Sequence, residues 1–326
     1  MEKPMDGVVQ EIRSLAKRNK FKDIVKILSD LVHGFHISLQ KYDKSPRRLI
    51  AVLTLRIFYN LQLNANQSIV SDFNMIKSPY NEKWMYESYP DKYGDKKGSM
   101  CPFSLNLLYA YYPYLVGSVY TSLDRFHVLW EYLMEQRHES REAADVFTSR
   151  IICVGLLVAD IFVSEQRPQD ALSILLRLHS KHNASNHATN AMLAVVYNMI
   201  GDSVNANKHI ERAMEETSQF TEYYRGIHCV INADFEQAHH QFTVCKNSYE
   251  AQETSTVVNS CENTIINNIA VSLFYMSRTV AAKNAIDSCS NIYKHSKLFK
   301  GIIWNSTMLK ELAVDIDTSY LDDHTS

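Results

Sequence analysis

Residues 194–213 read AVVYNMIGDSVNANKHIERA, and they carry the clearest signal of the fold class. Apolar residues recur every three or four positions on both sides of Gly201, which is the spacing of two amphipathic helices. A glycine between two helical patterns is typical of a turn. Ala194 and Ala206 are small enough for the two backbones to approach closely where the helices cross. The stretch therefore predicts a hairpin of two antiparallel helices.

Similar hairpins follow one another along the chain, as in tetratricopeptide repeats (TPR), which have about 34 residues per helix pair. In a unit numbered 1 to 34, small residues are expected at positions 8, 15, 20 and 27, and bulky ones at 11 and 24. The hairpin with Gly201 at position 15 meets every marker. Three more units fit with Ala171, Ala238 and Ala282 at position 20, and a looser one has Ala110 at position 8. The pattern predicts an all-α solenoid.

The composition agrees with an all-α fold. The 326 residues include only 9 Gly and 7 Pro, less than half the usual share of roughly 12%, whereas sheets need many turns. Hydrophobic residues make up 46% and charged residues 21%, which excludes bulk disorder. The 34 basic and 36 acidic residues give a net charge of −2, so charge alone does not favour nucleic acid.

The chain divides into four predicted segments. We expect degenerate helical hairpins over residues 1–78, a connector loop over 79–102, a TPR array with a C-terminal capping helix over 103–317, and a frayed acidic tail over 318–326. The longest uninterrupted apolar run, 151–159, is shorter than the roughly 20 residues that span a bilayer, so no membrane helix is expected.

The sequence offers no pattern typical of an enzyme. It has no glycine-rich phosphate loop, no H-E-x-x-H zinc motif and no G-x-S-x-G nucleophile motif. Histidine pairs at helical spacing lack the further ligands that a metal site needs. No apolar segment resembling a signal peptide occurs near the start, so the six cysteines are expected to be reduced. We therefore expect no enzymatic activity, no cofactor and no metal.

The inner face of the array is the candidate binding surface. In a TPR array, positions 2, 5, 9, 12 and 13 of each first helix line a concave groove. Here those positions lack Lys and Arg, which disfavours an acidic peptide tail and suits an apolar helix. The array's own superhelix or the terminal helix 298–314 would cover the same residues equally well. The candidate groove residues are Val195, Asn198, Met199, Phe220, Tyr223, Ile227, Val230, Asn267, Val271, Phe274 and Tyr275.

Residues 86–104, YESYPDKYGDKKGSMCPFS, form the most distinctive stretch of the chain. They resemble the Y-x-x-Y-P…Y…G-S-M-x-P-F-S segment that links the front helices to the repeats in subunit 12 of the trafficking protein particle (TRAPP) complex. Shorter pieces such as FEQAH at 235–239 and NNIAVSLFY at 267–275 follow in the same order, and the resemblance extends over residues 12–312. The candidate contact residues in the connector are Tyr86, Tyr89, Pro90, Tyr93, Pro102 and Phe103; the alternative is a packed connector.

The resemblance implies a non-catalytic scaffold subunit of TRAPP III, a tethering assembly that activates a Rab GTPase in ER-to-Golgi traffic and autophagy. The implied partners are the large subunits 8, 11 and 13 and, through them, the small-subunit core. Contact with the Rab GTPase and with membrane would be indirect, and no nucleic acid is implied. The implied location is the cytoplasm, peripherally on the ER–Golgi intermediate compartment and the Golgi.

The sequence also departs from the family pattern. Ser277 replaces the expected glycine at the last repeat's turn, which predicts a small structural loss. Longer family members carry a low-complexity N-terminal extension before the first helix, and any function of that extension is not represented in this sequence. A free-standing TPR adaptor that binds an apolar peptide or helix in its groove is the alternative function.

Overall fold

A computed structural model describes residues 5–41, 46–135, 141–181, 186–217, 220–250, 258–289, 305 and 307–309. Within these ranges the chain is helical and has no β-strand; its single extended pairing is an isolated bridge between Met85 and Ser99. The low Gly and Pro content and the helical periodicity account for this result. The predicted all-α class is confirmed.

The helices follow one another with short turns. They are α1 Met5–Lys17, α2 Phe21–Lys41, α3 Pro46–Gln62, α4 Asn66–Ile76, α5 Pro90–Tyr93, α6 Phe103–Leu115, α7 Val119–Glu135, α8 Arg141–Ser164, α9 Pro168–Lys181, α10 His187–Met199, α11 Ser203–Glu215, α12 Thr221–Ile231, α13 Phe235–Glu250, α14 Val258–Tyr275 and α15 Thr279–Asp287. Two short 3₁₀ helices, Glu82–Trp84 and Tyr86–Ser88, precede α5. The chain forms two compact units, Met1–Leu129 and Trp130–Ser326.

The first unit has a hydrophobic core that includes the connector. Trp84 is 3% exposed and Cys101 is 8% exposed, and both belong to the same buried cluster as the apolar faces of α1 to α4. The Nε1 atom of Trp84 donates a hydrogen bond of 2.9 Å to the backbone oxygen of Ile76. Leu105 and Tyr112 of α6 belong to the same core. The first unit therefore extends past residue 103, where the array was predicted to start, and ends at Leu129.

The second unit is built from helical hairpins, which pair α8 with α9, α10 with α11, α12 with α13, and α14 with α15. Most markers at positions 8, 20 and 24 of the five repeat units, one of which lies in the first unit, are at most 3% exposed, as the repeat register predicts. The position-15 turn residues are exposed, and Phe162, Tyr197, Cys245 and Cys289 are half-buried. The small side chains lie where paired helices cross, and the bulky ones fill the adjacent space. These buried residues are Ala110, Phe126, Ala159, Ala171, Leu175, Leu178, Ala194, Ala206, Ile210, Ala213, Ala238, Phe242, Ala270, Ala282 and Ile286.

One crossing excludes every side chain larger than hydrogen. Gly226 stands at position 8 of its unit, and a Cβ atom built there would lie 2.4 Å from the ring of Phe242. Phe242 is fully buried between α12 and α13. The glycine therefore makes room for the phenylalanine that fills this hairpin.

Each hairpin turns through a residue with a left-handed backbone at position 15. The φ angle is +96° at Gly117, +58° at Gln166, +84° at Gly201, +57° at Ala233 and +61° at Ser277. In all five turns the N–H at position 16 donates to the carbonyl oxygen at position 11 over 2.7–2.9 Å. The N–H at position 15 donates to the carbonyl oxygen at position 12 over 2.9–3.1 Å. This pair of bonds is the Schellman closure of a helix.

Helix α8 contains a stretch of 21 residues, Ala144–Ser164, that is long and apolar enough to cross a membrane by length and composition alone. Its mean hydropathy is 2.1, and 33% of it is buried inside the molecule. The uninterrupted apolar run 151–159 is short, as the sequence analysis states, but the stretch that is apolar on average extends past Arg150 and Asp160 to 21 residues. Core helices of soluble proteins meet the same criterion, so the finding is weak evidence for a span.

A polar cluster made of buried Asn190 and His209 and exposed Glu216 joins α10 to α11. The side-chain nitrogen of Asn190 donates to the two carboxylate oxygens of Glu216 over 3.0 and 3.2 Å. The Oδ1 atom of Asn190 lies 2.8 Å from Nδ1 of His209, so the histidine is the donor in this pair. The ring of Tyr197 stacks on His209 at 5.4 Å, and His179 lies edge-on at 5.6 Å. Burial, reinforced by His179 and nearby cations, lowers the pKa of His209 to about 4.

The turn at Ser277 generates a prediction about stability. Ser277→Gly should raise the free energy of unfolding by about 0.5–1 kcal/mol, because glycine adopts positive φ without the steric cost that serine bears. The reciprocal change Gly201→Ser should lower it by about 1 kcal/mol, since the space around a Cβ atom there is open and only the backbone is strained. Urea unfolding measures both changes. Shifts of the same sign in the two variants would contradict this account.

The polar cluster generates a prediction about pH. His209 is neutral in the folded chain and takes up a proton on unfolding once the pH falls below about 6.5. The free energy of unfolding should therefore decrease by about 2–3 kcal/mol between pH 6.5 and pH 4 on account of this residue. Urea titrations of the wild type and His209→Gln at several pH values test this, with exposed His240→Gln as the control. Equal pH dependence in wild type and His209→Gln would refute the assignment.

Candidate interaction site

The predicted groove residues lie on three helices of the second unit. Val195, Asn198 and Met199 belong to α10; Phe220 caps the start of α12; Tyr223, Ile227 and Val230 lie on α12; Asn267, Val271, Phe274 and Tyr275 lie on α14. None of the eleven side chains is buried, and Met199 and Tyr275 are 40% and 61% exposed. Their role in binding stays a prediction.

The aromatic residues Phe220 and Tyr223 at α12 are half-buried: part of each side chain packs against neighbouring hairpins, and part is exposed to solvent. Phe220, Tyr223 and Ile227 pack against the buried cluster around Ala194. The hydroxyl of Tyr223 also accepts a hydrogen bond of 3.3 Å from the side chain of Asn268. These residues therefore hold successive repeats together, and only part of each side chain is available to a partner.

The C-terminal segment meets the predicted groove at α14. The side-chain nitrogen of Asn305 donates to Oδ1 of Asn267 over 2.9 Å. Leu309 is 1% exposed and packs in the cluster that includes Phe242 and Leu273. The terminal segment therefore contacts the predicted groove at Asn267, as the alternative reading of the groove expects. Most of the predicted helix 298–314 and the predicted tail 318–326 lie outside the described residues.

Tyr275 is the most exposed aromatic side chain among the predicted groove residues. Its ring stacks on Phe235 with centroids 4.5 Å apart and an interplanar angle of 10°. The stacking fixes the ring on the surface although 61% of the residue is exposed. A flat, immobilised aromatic face is a favourable contact surface for a partner.

The connector is a structured element rather than an open loop. The N–H of Tyr86 donates to the carbonyl oxygen of Gly98 over 3.0 Å, and that of Met100 donates to Trp84 over 2.7 Å. These bonds join the two ends of the connector, and the hydroxyl of Ser99 donates to Pro79 over 3.0 Å. The Gly-Ser-Met part of the distinctive motif thus closes the connector on itself.

The predicted contact residues of the connector form a small aromatic cluster. Tyr93 packs edge-on against Tyr86 at 5.1 Å and Tyr89 at 6.5 Å, and all three are half-buried. Pro90 and Pro102 are exposed, whereas Phe103 is half-buried at the start of α6. Sequence analysis did not single out Trp84, which anchors the connector. A large apolar side chain next to a polar segment could have indicated that this residue is buried.

A second groove lies between α8 and α10; the concave positions of the Gly201 unit include its residue Ala188, whereas sequence analysis named none of its α8 residues. It has a volume of about 430 Å³, and its lining includes Cys153, Leu156 and Asp160 of α8 and Ala188 and Met192 of α10. The repeat numbering places the three α8 residues at positions 2, 5 and 9, and Ala188 at position 2 of the next unit. The concave-face rule, applied to the unit containing Ala171, would therefore have found them.

The lining of this second groove is mainly apolar, with two neutral polar residues, Ser149 and Asn186, and one acidic residue, Asp160. Burial raises the pKa of the Asp160 carboxyl and of the Cys153 thiol above their usual ranges. A thiol with a raised pKa is a poor nucleophile. Throughout the described ranges, no group of three or more His, Cys, Asp or Glu side chains is placed to hold a metal ion.

Comparisons with known proteins bear on the fold. No protein-family model and no curated protein matches this chain. A crystal structure of a tetratricopeptide repeat protein from Parabacteroides merdae is similar over 93% of this chain and 98% of its own, with 9% identity and a TM-score of 0.51. The APC/C hetero-tetramer Cut9–Hcn1 gives a TM-score of 0.44 with 10% identity, over 90% of this chain and 48% of the other. The chain has the fold of tetratricopeptide-repeat proteins.

Proposed function

We propose that this chain is a non-catalytic scaffold subunit of the TRAPP III vesicle-tethering complex. The coarser part of the proposal, a protein-interaction scaffold, follows from the repeat fold, in which stacked hairpins present a long continuous surface. The finer part is supported by the sequence resemblance of residues 86–104 and of the pieces that follow in the same order. The single observation that carries it is the connector motif.

The structure gives the connector motif a physical role that is consistent with this proposal. Tyr86, Gly98 and Met100 make the backbone bonds that close the connector, and Trp84 seats it in the core of the first unit. The three tyrosines and the exposed Pro90 stand on the outside of this rigid element. A rigid element with aromatic side chains is suited to contact a neighbouring subunit.

The proposed partners are the large subunits 8, 11 and 13 and, through them, the small-subunit core, with a Rab GTPase and membrane contacted indirectly. The proposed location is the cytoplasmic face of the ER–Golgi intermediate compartment and Golgi, with roles in ER-to-Golgi traffic and autophagy. Nucleotide exchange would belong to the small-subunit core. No catalytic residue is proposed for this chain, since its fold generally serves as an interaction scaffold.

The alternative function is a free-standing TPR adaptor that binds an apolar peptide or helix. The observation that favours it is the partly exposed apolar surface on α8, α10 and α14, which suits a helix laid into a groove. Adaptor and complex subunit differ in stoichiometry and size. An adaptor exists largely free of its ligand, whereas a complex subunit is found in the large particle.

Size-exclusion chromatography of lysate from cells that carry a tagged copy of the chain tests the proposal. We expect the chain to elute far above its 37.5 kDa mass, together with large TRAPP subunits identified by mass spectrometry. Tyr275→Glu should reduce this co-elution if α14 contacts a partner, because it places a charge on an exposed aromatic surface. Val204→Glu, on a 77% exposed residue of α11, is the matched control.

Elution at monomer size without other TRAPP subunits would refute the proposed function. The adaptor would then become the leading explanation, and the next measurement would be capture of peptides by the purified chain. Loss of co-elution in both glutamate variants would mean that added charge in general, rather than the α14 surface, causes the effect.

A further inference from the structure

The groove between α8 and α10 is apolar along most of its lining. Ile152, Cys153 and Leu156 form one wall, and Ala188 and Met192 form the other. The α8 residues are half-buried, and two thirds of the apolar stretch of that helix is not buried inside the molecule. Such a surface is favourable for burial by a partner, since each apolar side chain removed from water contributes to binding.

One carboxylate interrupts this apolar lining. Asp160 has no hydrogen-bond or ion-pair partner among the residues that the structure describes. An ionised carboxylate in an apolar setting loses hydration and gains nothing in return, which is why burial raises its pKa. A cation brought to the groove by a ligand would restore a favourable electrostatic interaction to this group.

The charges nearby do not supply that cation. Lys and Arg are absent from the described lining of the groove. Arg150, on the same helix, stacks its guanidinium on the ring of Phe147 at 4.9 Å and lies nearly three turns before Asp160. The groove therefore presents mainly apolar walls, the neutral polar residues Ser149 and Asn186, and one negative charge.

We propose that the α8–α10 groove binds a helical segment of a partner protein that places one Lys or Arg on Asp160 and apolar side chains on Leu156 and Met192. This inference rests on the proposed role of the chain as an interaction scaffold and names the chemistry of one partner. An acidic peptide tail or an anionic membrane surface is disfavoured by the charge of Asp160. A purely apolar helix would leave the carboxylate without a counter-charge.

Two labelled peptides test the inference with the full chain. The first is fluorescein-QLAQLLKQLLAQL, and the second has norleucine in place of its lysine. Fluorescence anisotropy should show that wild type binds the lysine peptide about tenfold more tightly than the norleucine peptide. Asp160→Asn, which keeps the size of the side chain, should reduce this preference to within about twofold. Asp160→Leu should reverse it in favour of the norleucine peptide.

Asp145→Asn is the matched control, because it removes the same charge from an exposed position of the same helix. It should retain the tenfold preference. Melting curves of each variant establish that the chain is folded. Equal binding of both peptides by wild type, binding of neither, or a preference that survives Asp160→Asn would overturn the inference. Sedimentation with phosphatidylcholine–phosphatidylserine vesicles that Leu156→Asp abolishes would assign the groove to a membrane and also overturn it.

The two proposals fail in different ways. Elution free of TRAPP subunits, together with an intact lysine preference, would refute the complex-subunit function and leave the groove inference standing. Normal co-elution together with loss of the lysine preference would refute the groove inference and leave the complex-subunit function standing.

Discussion

Small residues let the two helices of each hairpin pack closely, and this close packing sets the geometry of the repeats. Ala194 and Ala206 are fully buried in the α10–α11 hairpin, and Gly226 lies against Phe242, so that larger side chains at these positions would push the helices apart. Because each hairpin packs against the next, the spacing within one pair determines where the neighbouring pair can lie. The inner surface, including the groove between α8 and α10, takes its shape from these crossings.

The fold was largely predictable from the sequence because alanine and glycine at crossing positions leave a visible periodic mark. The turns were only partly predictable. Glycine at 117 and 201 predicts a left-handed turn. The side chains of Gln166, Ala233 and Ser277 predict no such turn, although their backbones adopt the same conformation. At those three positions the packing of the two helices imposes the turn, and the side chain carries no signal of it.

The candidate site was less predictable for a similar reason. The concave positions follow from the repeat register, yet their exposure depends on what packs over them. Asn267 is engaged by Asn305, far along the chain, and Tyr223 is engaged by Asn268. Asp160 stands at a concave position of the repeat register, but Ala188 and Met192, which complete the groove around it, come from a different helix. Long-range contacts of this kind leave no periodic trace in a single sequence.

The long apolar stretch of α8 matters during synthesis of the chain on the ribosome. While α8 is emerging from the ribosome, neither α9 nor α10 is present to cover it, and the segment resembles a membrane span in length and hydropathy. The cellular insertion machinery reads these two properties. An aspartate or arginine within such a segment carries an insertion penalty of about 2.5–3.5 kcal/mol at the centre and less towards the ends. Arg150 and Asp160 each add such a penalty, and both therefore oppose insertion of the stretch into a bilayer.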